Sequence, residues 1–218
     1  SSNVNTEIWE KIGDLIWDRY HAYDGFVVLH GTDTMSFTAS ALSFMFVNLT
    51  KPIIFTGSQL PIGTVRTDGK ENLITAIEIA ADKKNGSPVI QEVAIYFEYQ
   101  LFRANRTTKI SSEHFDAFKS FNYPPLAEAG ININYNYSSL FRSNLKEVDY
   151  FSGFNAGVST IVFFPGITID HLVHMFNNPQ IKILILLTYG AGNLPLNDQL
   201  IDLIQKQIKK GKIIVNLS

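Results

Sequence analysis

The sequence predicts an α/β protein built on parallel sheets, and three observations carry that prediction. Short apolar runs without internal alternation recur at 26–29, 52–55 and 93–97, as expected of strands buried on both faces. Stretches with apolar residues at three- and four-residue steps lie between them, which is the period of amphipathic helices. Polar and Gly-containing segments directly follow the strands, giving a repeated strand, turn, helix order. The composition supports such a core. Of 218 residues, 45% are apolar and only 17% are charged, which excludes a disordered chain and suits one that buries faces on several sides.

Between 6 and 20, Ile8, Trp9, Ile12, Leu15, Ile16 and Tyr20 mark an amphipathic helix with Thr6 or Asn5 as its cap. After Asp24-Gly25 come a strand at 26–29, a polar turn at 30–33 and a helix from 34 to about 49. The unit repeats with a strand at 52–55, a loop at 56–67 and a helix from 68 to about 83, followed by the strand at 93–97. From 132 to 155 the chain is more polar. Asn132, Asn134 and Asn136 alternate with Ile133, Tyr135 and Tyr137, a pattern that fits an exposed strand as well as the start of a linker. The later part, with Lys146-Glu147-Val148-Asp149, reads as linker. A smaller unit then follows: strand 160–164, helix 168–176, strand 183–187, helix 198–210 and strand 213–217. The expected division is a first domain at 1–137, a linker at 138–155 and a second domain at 156–218.

Lys and Arg total 18 against 20 Asp and Glu. A net charge of −2 offers no basic excess to phosphate backbones or anionic lipid, so neither nucleic acid nor membrane is an expected partner. The longest apolar run, 181–187, contains Lys182 and is far shorter than a membrane span. With no Cys, disulfides, thiolate zinc sites and cysteine nucleophiles are excluded. His21, His114, His171 and His174 are scattered and make no metal-ligand pattern. The first residue is not Met and the last residues form an apolar strand, so the expectation is a chain truncated at both ends.

In a parallel sheet, ligands gather at the carboxyl ends of the strands, where the following helices aim their free N–H groups. The densest polar cluster at such an end is His30-Gly31-Thr32-Asp33-Thr34-Met35. Gly31 lets the backbone approach a ligand closely. Thr32 and Asp33 admit two readings, a cap for the helix expected from 34 or a reactive hydroxyl beside a carboxylate. A second cluster, Arg103-Ala104-Asn105-Arg106-Thr107-Thr108-Lys109, follows the third strand. It is either a solvated loop or a segment that brings Lys109 to the turn at 30–35. There a lysine would act as the base for a threonine, and hydroxyl, lysine and carboxylate would form a triad by role.

The segment Gly25-Phe26-Val27-Val28-Leu29-His30-Gly31-Thr32-Asp33-Thr34-Met35 resembles a signature of the bacterial-type L-asparaginases. Further matching segments follow in order: Lys51-Pro52, Thr56-Gly57-Ser58-Gln59, Arg66-Thr67-Asp68-Gly69-Lys70-Glu71-Asn72-Leu73, Asn105-Arg106-Thr107-Thr108-Lys109, Phe115-Asp116-Ala117-Phe118 and Tyr189-Gly190-Ala191-Gly192-Asn193. The wording is closest to the cytoplasmic type I branch. The resemblance implies a larger N-terminal Rossmann-like domain with a parallel sheet and a smaller C-terminal flavodoxin-like α/β domain. It also implies a cytoplasmic homodimer or homotetramer that needs no cofactor and no metal. The implied reaction is hydrolysis of the side-chain amide of L-asparagine to L-aspartate and ammonia, with a threonine nucleophile.

By the same resemblance, Thr32 corresponds to the family's second catalytic threonine, Asp33 to the aspartate that holds the substrate's α-amino group, and Lys109 to the lysine that activates the threonine. Gly31 lines the substrate. Ser1 and Ser2 correspond to residues that hold its α-carboxylate. Ser58 and Gln59 lie in a loop that borders the amide end in relatives, where a contact role and an ordinary loop both fit. Asp68 reads as a helix cap, and His30 as a structural or orienting residue. The loop Gly190-Ala191-Gly192-Asn193 is either a strand-to-helix turn or a contribution to a neighbouring subunit's site.

Two departures stand out. The family's earlier Thr-Gly-Gly-Thr segment, with the proposed attacking threonine and a lid tyrosine behind it, does not occur in these 218 residues. Leu187 occupies a place where asparagine-regulated relatives can have arginine, which argues against effector binding. Two other readings use the same motifs: an ammonia-generating amidotransferase subunit with a tRNA-dependent partner, and an inactive remnant that binds an amino acid.

Overall fold

The computed structural model describes residues 2–143, 147–155, 157–195 and 197–218. Two compact units divide the chain, Ser1–Gly153 and Phe154–Ser218. Ser1 and the Lys146 of the expected linker lie outside the described residues. Within that linker, Asp149–Tyr150 pairs antiparallel with Phe46–Val47.

The first unit begins with α1 (Thr6–Trp17), capped by Asn5, whose side chain accepts a hydrogen bond from the Ile8 N–H. The helix ends three residues short of the expected Tyr20, because 19–22 close a run of backbone turns. A six-stranded sheet follows, with strands in the spatial order β1 (Phe26–Leu29), β2 (Ile53–Thr56), β3 (Val93–Phe97), β4 (Gln100–Arg103), β5 (Ala127–Ala129) and β6 (Ile133–Tyr135). The first three strands are parallel, with Phe26 opposite Ile53 and Ile53 opposite Val93. The last three join antiparallel. The chain enters β4 through the two-residue turn Glu98-Tyr99, both residues in the left-handed region with φ of 42° and 66°. The alternation at 132–137 is the edge strand β6, which exposes Asn134.

Side chains alternate across this sheet, and both faces are covered. Ile53, Phe55, Val93, Ile95 and Phe97 pack with Ile16 of α1 and with Met35, Ala39 and Leu42 of α2 (Thr32–Met45). Ile54, Ala94 and Tyr96 pack with Ala76 and Ile79 of α3 (Gly69–Ala81). Each fully buried side chain of this kind contributes roughly 1.5–3 kcal/mol. The helix expected over 34–49 starts two residues earlier and ends at Met45, because Phe46–Val47 is extended and Asn48 is left-handed at φ 61°. The helix expected to reach about Lys83 ends at Ala81, where Lys83–Lys84 turns into a short hairpin with Ser87–Pro88.

The second unit is a three-stranded parallel sheet, β7 (Val158–Val162), β8 (Ile183–Leu187) and β9 (Ile213–Leu217), with α4 (Ile169–Asn177) and α5 (Asp198–Lys209). Ile161, Phe163, Leu184 and Leu186 form its core with Leu172, Phe176 and Leu200. Among the described residues no helix is long and apolar enough to cross a membrane.

Candidate active site

The turn after β1 is held against the loop after β2 by a close approach that only glycine permits. A Cβ on Gly57 would meet the His30 carbonyl oxygen at 2.2 Å and the Met35 side chain at 2.9 Å. Gly31 is the N-cap of α2, in extended backbone and without a side-chain cap bond. Neither Thr32 nor Asp33 therefore caps a helix beginning at 34, which corrects the capping reading. They are the first two helical residues, and the N–H groups of this turn lack intrahelical partners.

Lys109 reaches the same turn from 77 residues away in sequence. Its ammonium donates to Thr32 Oγ1 at 2.8 Å and to Asp33 Oδ1 at 2.7 Å. Its position is fixed by a short antiparallel pairing of Thr108–Lys109 with Phe118–Lys119. Ala117 and Phe118 are buried, and the Phe118 ring lies 5.0 Å from that of Phe97 on β3. The Phe-Asp-Ala-Phe segment thus anchors the lysine to the core. Thr32 is buried at 9% exposure, and Lys109 keeps 15% of its side chain accessible. Asp33 keeps 68% accessible, so the carboxylate faces the opening. With Ser36, Phe37, Thr108, Ile110, Ser111 and Ser112, Asp33 and Lys109 line an open groove of about 400 Å³.

The other members of the two clusters have different tasks. Arg103 does not enter the groove; it forms a paired contact with Glu92 and stacks on Tyr123. The hydrogen bond to Glu92 keeps its guanidinium pKa above the ordinary value. His30 bonds through Nδ1 to the Gly31 carbonyl and through Nε2 to Thr38 Oγ1, which also accepts from the Trp9 indole N–H. It braces the turn that carries Thr32.

Asp68 holds the N-cap position of α3 as expected, yet its carboxylate makes no cap bond. It accepts instead from the Gln59 and Leu60 backbone N–H groups and from Asn72 Nδ2. Gln59 turns its amide to Thr32, whose hydroxyl donates to Gln59 Oε1 at 3.1 Å. Ser58 lies at the foot of α3, 3.1 Å from where a Cβ on Gly69 would stand. Ser2 lies in an exposed turn before α1, and among the described residues it makes no hydrogen bond to Thr32 or Lys109. The structure therefore brings together Thr32, Asp33, Lys109 and Gln59. A larger cavity, about 540 Å³, lies elsewhere in this unit, beside Phe44, Val47 and Arg103.

A parallel strand that ends on a hydroxyl and a carboxylate, both in contact with the ammonium of Lys109, makes an arrangement able to activate a hydroxyl group. The model for the N-terminal asparaginase domain matches residues 1–141, and the chain belongs to the asparaginase family. It is 42% identical, over its whole length, to L-asparaginase 1 of Escherichia coli K12, of which it covers 63%. The structure of L-asparaginase I from Vibrio cholerae superposes with a TM-score of 0.90 at 42% identity, covering all of this chain and 65% of that one. A more distant relative is a subunit of the glutamyl-tRNA(Gln) amidotransferase of Thermoplasma acidophilum, at 29% identity and 52% of its length. The chain thus spans a little under two thirds of the Escherichia coli and Vibrio cholerae asparaginases it matches.

Proposed function

We propose that this chain carries the proton-handling half of a site that hydrolyses L-asparagine to L-aspartate and ammonia. The observation that carries the reading is the shared contact of Lys109 with Thr32 and Asp33 at the mouth of the groove. In the neutral form the Lys109 amine takes the Thr32 proton. Thr32 in turn accepts the proton of the attacking threonine hydroxyl or water as it adds to the side-chain amide carbonyl. The proton then passes to the departing ammonia. Backbone N–H groups at the start of α2 and in the adjacent loop suit the oxygen that gains charge during addition. Asp33, the most accessible of the three, holds the substrate's α-amino group.

Gly31 and Ser58 border the substrate in this reading, and Ser1 and Ser2 hold its α-carboxylate. The units at 1–153 and 154–218 serve as the N-terminal and C-terminal domains of an asparaginase subunit. The protein works in the cytoplasm as a homodimer or homotetramer, in keeping with its likeness to the type I enzymes. Identity of 42% to an L-asparaginase against 29% to an amidotransferase subunit favours the amidase over the tRNA-dependent reading.

The test is ammonia release from L-asparagine by the intact protein. Thr32→Ala is expected to lower kcat by about 10²-fold or more, on the scale of losing an acid–base partner. Asp33→Ala is expected to raise KM more than it lowers kcat. Turnover near wild type in Thr32→Ala would refute the assignment.

A further inference from the structure

We propose that Gln59 is a positioning residue that sets the direction of the Thr32 hydroxyl. The inference rests on the site reading above and adds a residue to it. Thr32 Oγ1 has one proton and, among the described residues, two hydrogen-bond partners, Lys109 Nζ at 2.8 Å and Gln59 Oε1 at 3.1 Å. An ammonium only donates and an amide oxygen only accepts. The hydroxyl therefore donates to Gln59 and turns a lone pair to Lys109.

The orientation of the Gln59 amide is dictated by its surroundings. Its Nε2 donates to the backbone carbonyls of His114 at 2.9 Å and Ser111 at 3.4 Å. A flipped amide would set its oxygen against two carbonyl oxygens and its N–H groups against a hydroxyl already receiving a proton from Lys109. Both carbonyls belong to the loop that follows Lys109, and that loop is shaped by Ser111 Oγ, which accepts from the Glu113 and His114 N–H groups. The Gln59 backbone is gripped as well, its N–H donating to both Asp68 carboxylate oxygens at 3.1 and 2.9 Å. Asp68 is held in turn by Asn72, whose amide also donates to the Gly57 carbonyl and accepts from the Glu98 N–H.

Gln59 thus spans three segments: the turn that carries Thr32, its own loop after β2, and the loop after Lys109. With two directions around the Thr32 oxygen committed to fixed partners, the remaining one is left for the reacting group. Proton transfer to Lys109 then requires the O–H to swing from Gln59 to the amine, after which the oxygen takes the proton of the attacking group; one proton leaves and one arrives.

The experiment compares wild type, Gln59→Met and Gln59→Asn as intact proteins, with ammonia release from L-asparagine resolved into kcat and KM. Methionine keeps the length and removes the acceptor; asparagine keeps the amide and withdraws it by one carbon. Both are expected to lower kcat by about 10- to 100-fold, the scale of a misplaced catalytic group, with KM within about twofold. A kcat within twofold of an active wild type in either folded variant would overturn the proposal. A wild type that releases no ammonia counts against the function reading, and the pair is then judged by unfolding. Thermal shifts of Thr32→Ala, Gln59→Met and the double variant are expected to be non-additive; additive shifts overturn the positioning role without reference to turnover.

Discussion

The two sheets of this molecule are built from similar strands and finished differently. In the six-stranded sheet, Ile53 and Phe55 face one core and Ile54 faces another, and all three are fully buried. In the three-stranded sheet, Leu184 and Leu186 are buried under α4 and α5. The outward residues of the two flanking strands remain open, Val158, Val162, Ile213, Val215 and Leu217 all being 40–59% exposed. Uninterrupted apolar strands signal a sheet meant for cover on both sides. They do not say which residues provide the cover: the first sheet finds two layers within the described residues, and the second finds one.

Substitutions across the two sheets sharpen this contrast, and the largest effect is expected where both faces are sealed. Phe55→Ala should cost about 3–5 kcal/mol in denaturant unfolding, because a fully enclosed aromatic side chain leaves a cavity that its surroundings cannot fill. Leu184→Ala on the covered face of the small sheet should fall at the lower end of about 2–5 kcal/mol, since that sheet has an open side toward which it can relax. An equal loss at both positions would erase the distinction.

The hairpin at the end of β3 offers a gain. Two-residue turns with both φ positive favour Asn-Gly, and here they hold Glu98 and Tyr99. Tyr99→Gly should stabilise the protein by up to about 1 kcal/mol, because relief of the left-handed strain outweighs the freedom that glycine gives the unfolded chain, read as a rise in unfolding midpoint. Glu98 also carries a pH signature. Burial, with smaller contributions from Asp68 and Asp116, raises its pKa above 4.5. The folded protein then holds a proton that the unfolded chain has released, so stability declines as pH climbs from the ordinary glutamate range through the raised value. Glu98→Gln should flatten that slope in a pH series of unfolding midpoints. The smallest effect is expected on the open face, where Val215→Thr should stay within about 0.5 kcal/mol.

Much of this was legible in the amino-acid sequence. The parallel strands and their helices show as apolar runs and three- to four-residue periods, and Thr32 and Asp33 stand in a polar cluster directly after β1, whereas Lys109 lies six residues past the antiparallel β4. In the antiparallel half of the large sheet only β6 left a mark, the alternation at 132–137; β4 and β5 were hidden, because β5 is three residues long and the Glu98-Tyr99 turn lacks the residues that usually announce a hairpin. Asp68 shows its N-cap position in the sequence, but a carboxylate that binds backbone N–H groups eight and nine residues back has no periodic mark. The amide of Gln59 was similarly open, since its role depends on two carbonyls more than 50 residues away.

Lys109 touches both other members of the triad and is the residue on which the account depends most. The most direct measurement is kcat for ammonia release from L-asparagine by intact Lys109→Met against wild type, with both proteins verified as folded. The account predicts a loss of about 10²-fold or more, on the scale of removing a general base. A Lys109→Met protein that turns over within a few-fold of wild type would contradict it.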